Sequence, residues 1–243
     1  MRIGLISDLH SNLAALETAL ADLKAEGCEE IVCLGDIVGY GPDPNACVER
    51  VEAECAVTIL GNHDQAALGD LDTEYFNEYA RTATDWTANA LTDESMSFLQ
   101  GLPLSVLHHD VRLVHASPLQ PEEWTYVLSL AEAERQFLGF DERVCFIGHS
   151  HLPVILESSS EIRVHKFPVN EAFQLSRNAR YIINVGSVGQ PRDRDRRAAC
   201  AWYDTDSHQV CLRRLDYDIK GVQQKILDAG LPTFLASRLA HGM

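Results

Sequence analysis

The chain has 243 residues, of which 46% are hydrophobic and 23% charged, with a formal net charge of −16. That balance is ordinary for a globular protein in water and argues against a disordered or fibrous chain. No apolar run approaches the roughly 20 residues a membrane helix needs. An acidic excess of this size disfavours long nucleic acid as a partner, because its capture needs clustered Lys and Arg.

Residues 2–7 read as a buried strand that stops on Asp8, with His10 two positions later. Only Arg2 precedes the apolar run and Asp8 interrupts it, so no secretory leader is expected and the expected location is the cytoplasm. Residues 11–26 have helical period, with Leu13, Leu16, Leu20 and Leu23 on one face, Ser11 or Asn12 as cap and Gly27 as stop. "EIVCLGD" is a second strand ending on Asp36. "PNACVERVEA" is helical, and "CAVTILGNHD" is a third strand ending on Asn62, His63 and Asp64. Strands that each deliver polar residues at their C-terminal ends form the βαβ arrangement in which open sheets build sites.

Residues 73–101 read as helical and carry Phe76, Tyr79, Trp86 and Phe98, expected to pack the helices onto the body, with a lid as the alternative. A new helix starts at Leu91-Thr92-Asp93-Glu94 and stops at Gly101-Leu102-Pro103. Six strand patterns follow, within 112–117, 143–151, 153–158, 162–167, 180–187 and 198–205, and again polar clusters close them: His115, then His149 and His151, then Asn184. The tail, 219–240, reads as two short helices broken at Gly230-Leu231-Pro232 and is expected to cover a sheet face. The seven cysteines contain no C-x-x-C pair, and the spacing of Cys28, Cys33, Cys47 and Cys55 does not match a structural zinc site. Seven reduced thiols are expected.

The strand-end residues Asp8, His10, Asp36, Asn62, His63, His115, His149 and His151 form one donor set. Imidazole nitrogen mixed with carboxylate and amide oxygen suits borderline first-row metals such as Mn, Fe, Zn or Ni, whereas Mg or Ca alone prefers nearly all oxygen. The donors outnumber what one four-coordinate ion needs. Two divalent ions about 3.5–4 Å apart repel by about 19 kcal/mol at an effective dielectric near 20, so bridging anions are required. Asp36, alone at its strand end, is the natural bridging carboxylate. Gly35, Gly61 and Gly148 each precede one of these residues and permit tight turns there.

"DLH", "GD" at 35–36, "GNHD" at 61–64, the His of "VHAS" and "GHSH" at 148–151 together resemble the ordered motifs of the calcineurin-like metallophosphoesterase superfamily. "NVGSVGQPRD" extends the likeness toward its small bacterial and archaeal branch of phosphodiesterases and diadenosine-tetraphosphatase-like enzymes. The resemblance implies an α/β fold, a four-layer αββα sandwich of two mixed sheets flanked by helices. It is read as a single domain over 1–243, with 65–103 as a candidate cap and helices in 219–243. It also implies two divalent metal ions, Mn first and Fe, Zn, Ni or Mg as alternatives. Asp8, His10 and His151 would hold one ion, Asn62, His115 and His149 the other, with Asp36 bridging and His63 facing the substrate.

The phosphoprotein-phosphatase branch carries an Asp-Arg pair in a GDxVDRG pattern. This chain has "GDIVGYG", with Gly39 and Tyr40 at those positions, so the acidic residue that orients the catalytic histidine there is missing. Tyr40, Asn12 and Arg192 are the candidate substrate contacts, Arg192 foremost by charge; its competing reading is an ion pair with a neighbouring aspartate. The implied activity is hydrolysis of a small phosphorylated substrate by a hydroxide bridging the ions, acting on phosphodiesters or dinucleoside polyphosphates. The alternatives are a phosphomonoesterase or protein phosphatase, a nuclease on long polynucleotides, and a catalytically silent interaction platform.

Overall fold

The computed structural model describes residues 1–74 and 76–243. Its strands are β1 (Arg2–Ile6), β2 (Glu30–Cys33), β3 (Val57–Thr58), β4 (Ser105–His108), β5 (Val111–Val114), β6 (Val144–Ile147), β7 (Val154–Ser158), β8 (Ile162–His165), β9 (Ala172–Gln174), β10 (Arg180–Asn184), β11 (Ala198–Asp204) and β12 (Gln209–Leu215). Its helices are α1 (Leu13–Ala25), α2 (Pro44–Glu54), α3 (Asn62–Ala67), α4 (Glu78–Ala90), α5 (Asp93–Gln100), α6 (Leu130–Gln136), α7 (Ile219–Asp228) and α8 (Thr233–Leu239).

The strands form two mixed sheets, ordered β3-β2-β1-β11-β12-β9 and β4-β5-β6-β10-β7-β8. In the first, β1, β2 and β3 run parallel; in the second, β5, β6 and β10 do. The parallel strands are the ones whose C-terminal ends carry the polar clusters, so one end of the sandwich collects them.

Ile3, Leu5, Val32 and Leu34 of the first sheet meet Val111, Leu113, Phe146 and Ile183 of the second in a continuous apolar layer. The outer face of the first sheet is covered by α1, α2 and α5, and that of the second by α6 with Phe137 and Phe140. Helix α1 shows why: Ala15, Leu16, Ala19, Leu20 and Leu23 recur at helical spacing and are buried, each Leu contributing about 2 kcal/mol. The Asn12 side chain accepts from the Ala15 amide and caps it, as the sequence pattern suggests. The four-layer αββα arrangement is therefore observed.

The tail differs from expectation. Helices α7 and α8 form a hairpin whose Val222, Ile226, Leu235 and Leu239 pack with Ala80 and Ala83 of α4 and with Tyr40. The hairpin thus sits beside the polar end of the sandwich instead of covering a sheet. All seven cysteines are free thiols. No helix among the described residues is long and apolar enough to cross a membrane.

Candidate metal centre

The chain turns sharply where the strands end. Asp8, His10, Asp36, His149 and His151 have φ of 53°, 48°, 53°, 63° and 60°, a left-handed backbone that costs a non-glycine residue about 1 kcal/mol or more. These turns swing side chains from separate loops into one volume. All eight strand-end donors are buried, Asp8 and His115 completely.

Two groups of donors share one residue. Ligand atoms of Asp8, His10, Asp36 and His151 lie within 4.8 Å of one another, as do those of Asp36, His115 and His149. Asp36 Oδ2 stands 3.3 Å from His115 Nε2 and 3.7 Å from His10 Nε2, while Asp8 Oδ1 stands 3.3 Å from His151 Nε2. Two adjoining groups of donors therefore share Asp36, and Asn62 begins α3.

Backbone carbonyls fix the imidazole tautomers. Nδ1 of His10 donates to Val38 O at 3.2 Å, that of His115 to Leu34 O at 2.7 Å, and that of His151 to Gln190 O at 2.5 Å. Each ring thereby presents an unprotonated Nε2 to the centre in its neutral form. His10 Nε2 and His151 Nε2 consequently face each other at 3.1 Å with a lone pair each, which repel unless a cation lies between them. Asn62 Oδ1, His115 Nε2 and His149 Nε2 are buried without a hydrogen-bond partner. Leaving such atoms unmatched costs about 1–3 kcal/mol apiece, so this donor set fits divalent metal.

The electrostatics agree. Burial disfavours ionised Asp8 and Asp36, yet nearby imidazoles, His151 and His115 first, outweigh it and hold both carboxyls well below the usual range. Burial pushes His149 down to about 3 and His63 to about 4, and it also keeps His10 and His151 neutral. For His115 burial is outweighed by Asp36, and the ring is raised to about 9. Cation binding exchanges that proton for metal charge.

Two further strand-end residues, Asp64 and Asn184, have a supporting role that the sequence reading did not assign. Asp64 accepts from the Val38 and Gly61 amides, both at 3.0 Å, and ties the two loops that carry Asp36 and Asn62. Burial, then the negative Asp36, raises its carboxyl to about 7. Asn184 donates from Nδ2 to Gly148 O and Ser150 Oγ, holding the "GHSH" loop. A buried Asp directly after a ligand pair and an Asn closing β10 were the only signals available.

His63 is 7% exposed, and its amide donates to Asp36 Oδ1 at 2.8 Å. Its ring lies between Tyr40 and Phe76, with centroids 4.5 and 4.9 Å away. An aromatic slot thus orients this histidine where the phosphoprotein-phosphatase pattern uses a carboxylate. Gly39 leaves room for it: a Cβ there would lie 3.1 Å from His63 Nδ1.

The candidate substrate contacts divide. Asn12 donates from Nδ2 to Gly189 O, caps α1 through Oδ1 and is 2% exposed, so each of its polar atoms has a partner within the fold. Tyr40 packs edge-on to His10 with centroids 4.8 Å apart. Arg192 forms no ion pair with a neighbouring aspartate: Asp193 pairs with Arg214 and Asp195 with Arg197, while Arg192 donates to Gln190 Oε1. Its guanidinium lies 5.8 Å from the Tyr40 ring centroid, and Arg238 of α8 lies 5.9 Å from the same ring. Burial, then Arg192, lowers Arg238 to about 10, which leaves it charged at neutral pH. On the other side a cleft of about 340 Å³ opens beside Asn62 and His149, walled by Phe76, Trp124 and Tyr126.

A family model, calcineurin-like phosphoesterase superfamily domain, matches residues 1–208. The chain is 37% identical over 244 residues to the uncharacterized protein MJ0912 of Methanocaldococcus jannaschii, covering 99% of this chain and 98% of that protein. A crystal structure of a metallophosphoesterase from Sphaerobacter thermophilus superposes with a TM-score of 0.89 at 41% identity, covering 100% of this chain and 99% of that one. The hypothetical protein PH1004 of Pyrococcus horikoshii OT3 shares the fold, with a TM-score of 0.79 at 20% identity over 100% of this chain and 98% of that one.

Proposed function

The chain belongs to the calcineurin-like phosphoesterase superfamily, and from that premise we propose that it hydrolyses small phosphate esters at a dinuclear centre. Asp8, His10 and His151 would hold one divalent ion and Asn62, His115 and His149 the second, with Asp36 shared between the two groups. The observation that carries this reading is the sharing of Asp36 between two groups of converging ligand atoms. Manganese is the proposed metal, the donor set being equally compatible with Fe, Zn or Ni.

A bound pair of divalent ions supplies a water of lowered pKa and a clamp on two phosphate oxygens. The protein's own residues do the rest. Asp36 and Asp8, both ionised, provide the negative charge that keeps cations in the centre. His63, held in its aromatic slot and neutral at neutral pH, faces the leaving group and stabilises it by a ring N–H hydrogen bond. Arg192, with Arg238 beside it, supplies positive charge at the mouth of an otherwise acidic protein, so anionic substrates can enter. The cleft walled by Phe76, Trp124 and Tyr126 offers flat apolar surface to a base or other aromatic substituent. This combination favours phosphodiesters and dinucleoside polyphosphates over phosphoproteins.

Elemental analysis of purified protein, followed by a manganese-supplemented screen of phosphomonoesters, phosphodiesters and diadenosine polyphosphates, tests the proposal. At this centre two metal equivalents per chain, and turnover of a diester or dinucleotide, are expected. Two equivalents with no turnover of any ester would make the fold an interaction platform, and a single equivalent would overturn the dinuclear reading.

A further inference from the structure

A second group of metal-type donors lies away from this centre. Glu30 opens β2 in one sheet, while His108 and His109 form the β4–β5 hairpin in the other. His108 Nε2 lies 2.8 Å and His109 Nε2 3.0 Å from the same oxygen, Glu30 Oε2, and the three ligand atoms all lie within 4.8 Å of one another. We propose that Glu30, His108 and His109 form a zinc site that joins the two sheets.

The convergence has a local cause. Consecutive strand residues point to opposite faces, so His108 and His109 would diverge in a regular strand. Here the hairpin turns on His109 and Asp110, with φ of 44° and 64°, and His108 pairs with Val111. A two-residue turn with both positions left-handed ordinarily takes Asn-Gly. This turn accepts the cost of left-handed His and Asp, and the result is two imidazoles aimed at one carboxylate oxygen, ring centroids 4.1 Å apart.

The dimensions suit zinc. Tetrahedral ligands about 2.0–2.1 Å from zinc stand about 3.3 Å from one another, so the observed separations of 2.8 and 3.0 Å need only a small expansion. Two imidazoles and one carboxylate are a zinc donor set that leaves a fourth position for water. His108 is 17% and His109 42% exposed at the side chain, so an ion can reach them. Glu30 precedes Asp36 by six residues and His109 precedes His115 by six, which puts the two groups at opposite ends of the same strands, about 20 Å apart.

The test is equilibrium dialysis of full-length wild type, H108Q/H109Q and E30Q against equal free zinc, with metal counted per chain. Wild type is expected to hold one equivalent more than either variant, while all three keep the same phosphoesterase rate. Equal zinc in wild type and both variants overturns the proposal. Because the comparison is a difference, it reads the hairpin site even if the active centre binds one ion or none. A measurement without substitution guards against misfolding: in long-range ¹H–¹⁵N spectra of wild type, zinc should shift the His108 and His109 Nε2 resonances. Unmoved resonances at saturating zinc overturn the site as well.

Discussion

The amide of His63 donates to Asp36 Oδ1 at 2.8 Å, while the other oxygen of that carboxylate faces His115 and His10. One side chain thereby serves the metal centre and positions the histidine that faces substrate. The two tasks fall on different oxygen atoms, and substitution can separate them.

Asp36→Asn retains an oxygen for the His63 amide and places an NH₂ where ligand oxygen is needed. It should lose metal from both groups and reduce kcat/KM by more than about a hundredfold, since even partners outside the ligand set commonly contribute 10–100-fold. Metal content and turnover check this together. Near wild-type values of both would remove Asp36 from the bridging position.

Gly39→Ala probes the aromatic slot without touching a ligand. Gly39 has φ of 91°, and an added Cβ would lie 3.1–3.3 Å from three atoms of His63. The imidazole must shift by a few tenths of an ångström, and misplacement on this scale can cost tenfold to a hundredfold in kcat. Metal content should stay at the wild-type value, and His63→Ala should give a similar loss. Wild-type kcat in Gly39→Ala would mean that the position of His63 is unimportant.

Arg238→Met removes the second of the two guanidinium groups near the Tyr40 ring. A hydrogen bond to a charged group contributes about 1.5–3 kcal/mol, so KM for an anionic phosphoester should rise about tenfold or more, with kcat little changed. Steady-state kinetics at fixed ionic strength measure the split. A fall confined to kcat would instead place Arg238 on the reacting group.

The thiols should be inert. Burial pushes Cys28 and Cys55 up to about 12 and raises Cys33, Cys47, Cys145 and Cys200 as well. At pH 8 a thiol of pKa 12 is ionised in about one molecule in ten thousand. A disulfide reagent should therefore modify native protein only slowly, and all seven cysteines in guanidinium. A rapid phase in native protein would show an activated thiol.

The metal-type donors were legible because they are strand-end residues of polar type in otherwise apolar runs, and the left-handed turns after β1, β2 and β6 brought them together. The helix cap at Asn12 was legible for the same reason, a short polar side chain before a periodic segment. The short strands β4 and β9 and helix α6 were not, since three to seven residues carry too little periodicity. For Asn12 the sequence offered both a cap and a substrate contact, which look alike there. Arg238 went unnoticed because it lies 46 residues beyond Arg192, and only tertiary packing of the α7–α8 hairpin brings both to Tyr40.

That hairpin also separates two kinds of charge at the site. The match to the family model ends at residue 208, inside the sheet that β12 completes, and Arg238 lies beyond it. The strand-end donors and His63 all lie within the matched residues, whereas Arg238 reaches the rim only through α8. Substitutions along α8 can therefore reshape the cationic rim with every donor residue left in place.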